Sequence, residues 1–332
     1  MKGLSMKRRS SGVGLEAYSL PGGLLALVVL LLLIDKPALI RELATWQNVA
    51  GSSAIGIVVA IAMVLPLRAG EFNLGIGATV GVSAIATAAA FTTYDQPIFV
   101  AVLIGIAAGG VMGAISGAFV AYLGVNSLIA TLGLGILSQG LVEWYRPGSG
   151  FSVINATQLT DLFSKNVPGI KMPAAIIIAL VIAVIAYYVI EHVPFGRYLT
   201  AIGSNKASAT LVGIRVQRTM FIAYVASGLI GGVAGVLVLG SFGSVSAQVM
   251  TGAGVTYWLP ALAAVYLGAT AFQPGRFNVS GAVVAIVLVK LIRTLFTLAK
   301  VSEAWPENVV NGAALVLAVA FASYFARRRA GT

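Results

Sequence analysis

The side chains of this chain that could do chemistry are mostly uncharged hydrogen-bonding groups set inside apolar stretches. In residues 125–141, VNSLIATLGLGILSQGL, the polar side chains include Asn126, Ser127, Thr131 and Gln139. Hydroxyls and amides donate or accept hydrogen bonds without adding a fixed charge, which suits a sugar-like solute. The alternative is that they form hydrogen bonds between helices, worth about 0.6 kcal/mol each.

A second polar stretch is AGEFNLGIGA, residues 69–78, where Glu71 and Asn73 stand among glycines. Polar residues among glycines break a helix. Unpaired backbone at membrane depth is tolerated only where it is buried in protein or lines a water-filled cavity. The pattern therefore predicts a broken helix that lines a solute path. An ordinary cytoplasmic turn, with Arg68 and Glu71 as a solvated pair, is the alternative.

Aromatic side chains mark a third stretch, residues 251–272, in which Tyr257 and Trp258 follow two glycines and precede Pro260. The glycines and the proline are expected to interrupt the helix here. Aromatic faces pack against the C–H surfaces of sugars, so Tyr257 and Trp258 are candidates for the solute path. Aromatic residues near the end of a span are also typical of the membrane interface, which is the alternative interpretation.

The longest basic loop, PFGRYLTAIGSNKASATLVGIRVQ, covers residues 194–217. Ser204 or Asn205 can cap a short helix that continues through Leu211, and Gly213 is placed to end it. Such a helix presents apolar side chains that could dock in a groove on a partner protein. An interfacial helix lying on the membrane is the alternative.

The residue inventory excludes several kinds of site. The chain has no cysteine and one histidine, His192, so disulfides, thiolate metal sites, cysteine nucleophiles and multi-histidine centres are excluded. No G-x-x-x-x-G-K-[ST] phosphate loop occurs, so ATP is not held in that way by this chain. Without a convincing Ser/His/Asp set or a metal cluster, catalysis has no basis, and we expect no enzyme activity.

The elements that must position these residues are transmembrane helices. Hydrophobic residues make up 59% of the chain and charged residues 9%, whereas a soluble domain carries roughly 25% charged residues. The apolar blocks are close to the roughly 20 residues needed to cross a ~30 Å hydrocarbon core. The sequence therefore predicts an all-α polytopic membrane protein. About ten spans are expected, near residues 20–34, 49–67, 74–92, 98–122, 126–144, 172–191, 220–241, 256–272, 277–299 and 307–325.

The distribution of charge predicts the orientation. The chain has 21 basic and 10 acidic residues, and most of the basic residues fall in inside segments if the N-terminus is cytoplasmic. Both basic termini are then cytoplasmic, which requires an even number of spans. The expected organisation is a transmembrane permease domain, residues 19–326, between basic tails at 1–18 and 327–332, with a cytoplasmic loop at 192–219 and the longest outer loop at 145–171.

One span carries glycines at regular helical spacing: Gly105, Gly109, Gly113 and Gly117. An i, i+4 repeat of glycine clears one helix face, so that another backbone can approach closely. We expect a packing seam here. The alternative is a groove that lines the solute path.

From about residue 50 to 322 the chain resembles the membrane permeases of ATP-binding-cassette importers of the ribose and galactose type, which also include nucleoside permeases. The most specific part is GRYLTAIGSNKASATLVGIRV, which is similar to the family pattern G-R, A-x-G-x-N, A and G-I. In the family this segment couples to the ATP-binding subunit. The resemblance implies that role for Gly196, Arg197, Gly203, Ser204, Asn205, Lys206, Ala207, Leu211 and Gly213.

Two further stretches carry the resemblance. IATLGLGILSQGL is similar to the family's T-L-G segment, and AGEFNLGIGA to a segment that in sugar permeases often reads G-G-I-D-L-S-x-G. Asn73 stands where the acid would be, and N-L-G looks closer to nucleoside-type members. A sugar is therefore the expected solute, with a nucleoside or another small polar solute as the alternative.

The resemblance also implies partners. ATP and magnesium would be bound by a separate ATP-binding subunit, so no cofactor is expected in this chain. An extracytoplasmic solute-binding protein, a second copy or paralogue of the permease, and the lipid bilayer of the bacterial cytoplasmic membrane complete the expected set, which contains no nucleic acid. An ion-coupled secondary transporter is the rival, but Glu71, Glu143 and Glu191 all fall near span ends rather than deep in the membrane.

Overall fold

A computed structural model of the chain describes residues 43–145, 151–152, 172–245, 247–269 and 275–298, with the single residues 272, 309, 312, 313 and 316. Helices dominate this part of the chain. They are α1 Leu43–Arg68, α2 Ile76–Thr92, α3 Ile98–Gly117, α4 Ser127–Tyr145, α5 Ala174–Glu191, α6 Pro194–Ser204, α7 Lys206–Leu211, α8 Val216–Phe242, α9 Ala247–Gly268 and α10 Val279–Leu298. A π-helical turn, Ala118–Tyr122, extends α3. The short strands are β1 Phe151–Ser152 and β2 Ser244–Val245.

Several of these helices are long and apolar enough to cross a membrane. They are Thr45–Arg68, Ile98–Tyr122, Ser127–Tyr145, Ala174–Glu191 and Val216–Phe242, and Ile76–Thr92 and Tyr257–Gly268 are shorter apolar helices. The predicted all-α polytopic fold is confirmed. The expected span at 20–34, and nearly all of that at 307–325, lie outside the described residues, so the total of ten stays a prediction.

Proline and glycine set several helix boundaries. Pro97 and Pro173 come directly before α3 and α5, and Pro194 is the first residue of α6. Proline fits there because its fixed φ suits a first helical turn and its missing N–H would be unpaired anyway. At the other end of a helix, Gly243 closes α8 with a φ of 65°, a conformation that glycine adopts without cost.

The centre of the bundle is α8, which packs against α1, α2 and α3. The middle of α1 is also enclosed, with Ile57 and Ile61 almost fully buried. In contrast, α4 and α5 lie at the rim and expose apolar side chains such as Ile136 and Val184. Exposed apolar faces of this kind need lipid or another protein surface to cover them, which agrees with a membrane location.

The predicted glycine seam is confirmed. Gly109 lies against Gly228 and Gly232 of α8, so that a Cβ added at Gly109 would stand 2.6 Å from the Cα of Gly232. A Cβ at Gly113 would stand 2.9 Å from the Cα of Gly228 and would overlap the carbonyl oxygen of Tyr224. Backbones can approach this closely only where neither helix has side chains in the way.

The expected interruption near Pro260 is wrong. Helix α9 runs without a break from Ala247 to Gly268, with Pro260 inside it. A proline inside a membrane helix is tolerated where neighbouring groups satisfy the backbone that it frees. Two glycines and a proline were therefore too weak a signal to end this helix.

The two ends of the bundle are distinguished by their loops. Strands β1 and β2 pair antiparallel, with Phe151 opposite Val245, so the end of α4 and the end of α8 lie together. At the start of α8, the opposite end, α6 packs against α1, α5 and α8. Residues 151–152 and the basic loop at 192–219 thus lie at opposite ends of the bundle, whereas the rest of the predicted outer loop at 145–171 lies almost entirely outside the described residues.

Candidate solute path and coupling site

The chain breaks between α1 and α2, as predicted, and residues 69–75 form a non-helical inter-helix segment. Gly70 turns the chain at its start with a φ of 78°. Deeper in, the side-chain amide of Asn73 donates to the Ser227 hydroxyl at 3.0 Å. Ser227 lies nine residues beyond Arg218 along α8, which is roughly 14 Å of helix rise. The inter-helix segment therefore reaches nearly to the middle of α8.

Neighbouring helices satisfy the backbone of the inter-helix segment. The N–H groups of Phe72 and Leu74 donate to the hydroxyls of Ser127 at 3.2 Å and Thr131 at 3.1 Å. The hydroxyl of Tyr224 donates to the carbonyl oxygen of Phe72 at 2.7 Å. These bonds replace the ones that a continuous helix would make. Ser127 and Thr131 thus form hydrogen bonds between elements, which was the alternative interpretation of their pattern.

Asn73 is the most enclosed polar residue of the inter-helix segment. It is 2% exposed, and its Oδ1 atom has no hydrogen-bond partner among the described residues. Buried polar atoms are nearly always paired. The free acceptor at this depth makes Asn73 the strongest of the candidate solute-path residues.

Other candidate path residues lie apart from this cluster. Asn126 caps α4, because its Oδ1 accepts from the N–H of Leu128 at 3.0 Å. Further along α4, the side-chain amide of Gln139 donates to the carboxylate of Glu143 at 3.2 Å. The structure thus brings Asn73, Ser127 and Thr131 together, but gives Asn126 and Gln139 local partners on α4.

The aromatic candidates lie on α9. Tyr257 and Trp258 are partly buried against the hydrophobic core, and α9 packs against α1 and α2. Their side chains are therefore partly covered by the bundle, and the interpretation as an interface belt stays open. The expected contact of Tyr257 and Trp258 with solute stays a prediction.

Charged residues at the loop end of the bundle form two ion pairs. Glu71 pairs with Lys206 of α7. Arg68 pairs with Glu191 at 2.7 Å and also donates to the hydroxyl of Thr200 at 2.9 Å. The alternative in which Arg68 and Glu71 pair with each other is wrong. Arg68 instead pairs with Glu191 of α5, and Glu71 pairs with Lys206 of α7.

Sequence reasoning missed the pair of Arg68 and Glu191. Their side chains are only 6% and 18% exposed, so the pair is largely withdrawn from water. The available signal was that both charges end predicted spans on the same side of the membrane. Tyr224 and Ser227, which hold the inter-helix segment from α8, were missed as well.

The capped helix expected in the basic loop is confirmed as α7. Asn205 is its cap, with Oδ1 accepting from the N–H of Ser208 at 3.0 Å. Ser204 instead ends the preceding helix and donates to the carbonyl oxygen of Thr200 at 2.9 Å. Gly213, with a φ of 83°, turns the chain after α7 as predicted.

Helix α6 was not predicted, and it fixes the basic loop to the bundle. Leu199 of α6 is fully buried. Gly203 lies so close to the end of α1 that a Cβ would overlap the carbonyl oxygen of Arg68. In the same way, a Cβ at Gly196 would overlap the carbonyl oxygen of Ile190. Gly196 and Gly203 of the coupling pattern thus allow α6 to pack against backbone.

The tip of the basic loop points away from the bundle. Leu211 is 88% exposed and Val212 77% exposed, and Arg197, Lys206 and Ala207 are exposed beside them. Within the described part of the chain nothing covers these apolar side chains. An apolar tip flanked by cations is a surface suited to a partner protein.

Comparisons with known proteins agree with these features. The family model described as branched-chain amino acid transport system / permease component matches residues 46–319. The ribose import permease protein of Haemophilus influenzae is 27% identical, covering 85% of this chain and 86% of the relative. The fructose import permease protein of Bifidobacterium longum is 27% identical, covering 95% and 94%. The galactose/methyl galactoside import permease protein of Haemophilus influenzae is 26% identical, covering 90% and 91%.

Proposed function

Since the chain belongs to the permease-component family of branched-chain amino acid transport systems, we propose that it forms the membrane pathway of an ATP-driven importer whose solute is a sugar. The named relatives import ribose, fructose and galactose or methyl galactoside. Their solutes differ, but all are neutral and rich in hydroxyl groups. An uncharged amide and hydroxyls at membrane depth suit such a solute.

One observation carries this proposal: the basic loop is joined to the inter-helix segment on one side and presents a free apolar tip on the other. Lys206 binds Glu71, and Gly203 lies against Gly70, where an added Cβ would be 3.4 Å from the Cα of Gly203. A half-exposed ion pair contributes only about 0–1 kcal/mol. The close backbone packing is therefore the firmer of the two links.

The mechanism follows from this connection. A separate ATP-binding subunit, which holds ATP and its magnesium ion, docks on Leu211 and Val212. Its closure moves α7 and α6, and the packing at Gly203 transmits that movement to residues 69–75. Because residues 72–74 are held by side-chain bonds from α4 and α8 rather than by a continuous helix, they can shift and change which side of the membrane the path faces.

The remaining partners and the orientation complete the proposal. The chain lies in the bacterial cytoplasmic membrane with the basic loop and both termini in the cytoplasm. A second copy or a paralogue supplies the other half of the pathway. A solute-binding protein delivers sugar to the opposite end, where the outer loop at 145–171 lies. Catalysis belongs to the ATP-binding subunit and not to this chain.

The test compares two exposed leucines at the same end of the bundle. Leu211→Asp places a charge in the proposed docking surface, whereas Leu123→Asp changes a side chain that is 67% exposed outside the basic loop. Uptake of radiolabelled ribose, fructose and galactose is measured in cells that express each variant. Because one central interface residue contributes about 2 kcal/mol or more, Leu211→Asp should lower uptake at least roughly thirtyfold. Leu123→Asp should retain uptake, with equal protein in the membrane.

Two results would reject this function. Full uptake by Leu211→Asp would show that the tip of the basic loop is not a docking surface. Uptake that survives depletion of ATP but collapses with a protonophore would identify an ion-coupled carrier.

A further inference from the structure

A cleft of about 440 Å³ opens beside the basic loop, between α6 and the start of α8. Its walls include Phe195, Tyr198, Arg215, Arg218 and Ile222. The cleft adjoins the docking tip, because Val212 and Gly213 also line it, whereas Leu211 is not among its lining residues. Its mixture of cations, aromatic rings and an aliphatic side chain is amphiphilic.

The cleft carries two positive charges that nothing in its surroundings neutralises. Arg215 and Arg218 are exposed, and in the portion of the chain that the structure covers neither forms an ion pair or a side-chain hydrogen bond. The acids of this end are already engaged, since Glu71 pairs with Lys206 and Glu191 with Arg68. An anionic ligand would supply the missing counter-charge.

One end of the cleft opens toward the apolar surface of the bundle. Ile222 lies four residues after Arg218, one helical turn deeper along α8, and is 42% exposed. Tyr198 of α6 and Tyr122 at the end of α3 are half-exposed nearby in the fold, and the ring of Tyr122 packs on Phe221 with centroids 5.4 Å apart. Exposed tyrosines at helix ends are typical of the membrane interface.

We infer that this cleft binds the headgroup of an anionic phospholipid, with the phosphate on Arg215 and Arg218 and an acyl chain along Ile222. Guanidinium groups bind phosphate through paired N–H donors, a geometry that lysine does not offer. The cytoplasmic leaflet supplies anionic lipids to basic groups at this level. A partner protein is the competing occupant, because Val212 of the docking tip also lines the cleft, and measurement of lipid retention separates the two.

The test measures lipid retention on the intact chain. The purified protein in detergent receives equal amounts of phosphatidylglycerol and phosphatidylcholine, and native mass spectrometry counts the bound lipids. The wild-type chain should retain phosphatidylglycerol in preference. Because a specific hydrogen bond to a charged group contributes roughly a tenfold factor or more, Arg215→Gln/Arg218→Gln should lower that retention at least roughly tenfold.

A charge-matched control separates a site from general attraction. Arg197→Gln/Arg276→Gln removes the same charge from two exposed arginines outside the cleft and should keep the preference for phosphatidylglycerol. Exposed substitutions of this kind usually change stability by less than about 0.5 kcal/mol, so both variants should fold.

Three outcomes would overturn the inference. Arg215→Gln/Arg218→Gln could retain phosphatidylglycerol as the wild type does, or both double variants could lose it equally. Alternatively, the cleft variant could keep the lipid and lose only its co-purification with an ATP-binding subunit, which would make the cleft a protein interface. Retention is measured without ATP or sugar, so a negative result leaves the proposed transport function standing.

Discussion

Asn73 combines three properties that rarely occur together in a membrane protein. It lies in a non-helical segment, it is 2% exposed, and one of its two polar side-chain atoms has no partner within the described ranges. The paired atom, its amide nitrogen, is held by Ser227. A buried acceptor left free costs stability, and a cost of this kind is often retained where a function needs the group. We therefore expect Asn73 to be used in the transport cycle.

Asn73→Ala and Ser227→Ala separate the function of this amide from its role in packing. Both variants remove the bond between the two side chains, but only Asn73→Ala removes the free acceptor. We expect the sugar uptake of Asn73→Ala to be about three- to tenfold lower than that of Ser227→Ala, because Asn73→Ala also loses one neutral hydrogen bond to the solute. Initial uptake rates, normalised to the amount of protein in the membrane, measure the difference.

The opposite result has a simple meaning. Equal uptake in the two variants would show that Asn73 acts only through its bond to Ser227. The amide would then be a packing residue, and the solute would have to contact other groups.

At the scale of residues, local interactions were predictable from sequence and distant ones were not. Asn205 and Gly213 were identified because a cap and a stop depend on neighbours within a few positions. The partner of Arg68 is 123 residues away and that of Glu71 is 135 residues away. No spacing rule reaches that far, and the alternative interpretation pairs Arg68 with the nearest opposite charge, Glu71.

At the scale of elements, the packing of α3 on α8 is the feature on which the bundle most depends. Glycines from both helices meet along this seam, among them Gly109, Gly113 and Gly228. Lipid removes the hydrophobic drive for helices to associate, so close van der Waals packing takes its place. Added bulk at this seam must therefore separate the two helices.

Gly113→Ala tests the seam, and Gly133→Ala on α4 is its control. A methyl group at Gly113 meets the backbone of α8, whereas a methyl group at Gly133 has nothing within 4 Å. Overpacking should cost Gly113→Ala about 1–3 kcal/mol, while Gly133→Ala should be stabilising by roughly 0.5–1 kcal/mol because alanine is the better helix former. Thermal unfolding in detergent, followed by tryptophan fluorescence, should show a lower midpoint only for Gly113→Ala. Equal midpoints would mean that the seam has room to relax.

Periodic elements were foreseen better than short ones. Four glycines at i, i+4 spacing predicted the seam, because such a repeat leaves one face of the helix without side chains. The sequence predicts a loop where α6 lies, because this helix has only 11 residues and lies in a basic segment. The break expected in α9 was absent, because what decides whether Pro260 ends a helix is the packing around it.

At the scale of the whole molecule, the fold joins one end of the bundle to its interior. The basic loop lies against residues 68–71, and residues 72–74 then run inward between α4 and α8. A force applied at the tip of the loop therefore has a direct route to the middle of the bundle. This arrangement is useful only if the tip faces the compartment that holds ATP.

The sidedness of the basic loop tests that requirement most directly. The chain contains no cysteine, so Leu211→Cys and, at the opposite end of the bundle, Tyr94→Cys each introduce one reactive thiol at an exposed position. A membrane-impermeant maleimide is applied to intact spheroplasts and to inside-out vesicles. We expect Leu211→Cys to be labelled only in inside-out vesicles and Tyr94→Cys only in spheroplasts. Labelling of Leu211→Cys from the outside would contradict docking of an ATP-binding subunit on this loop.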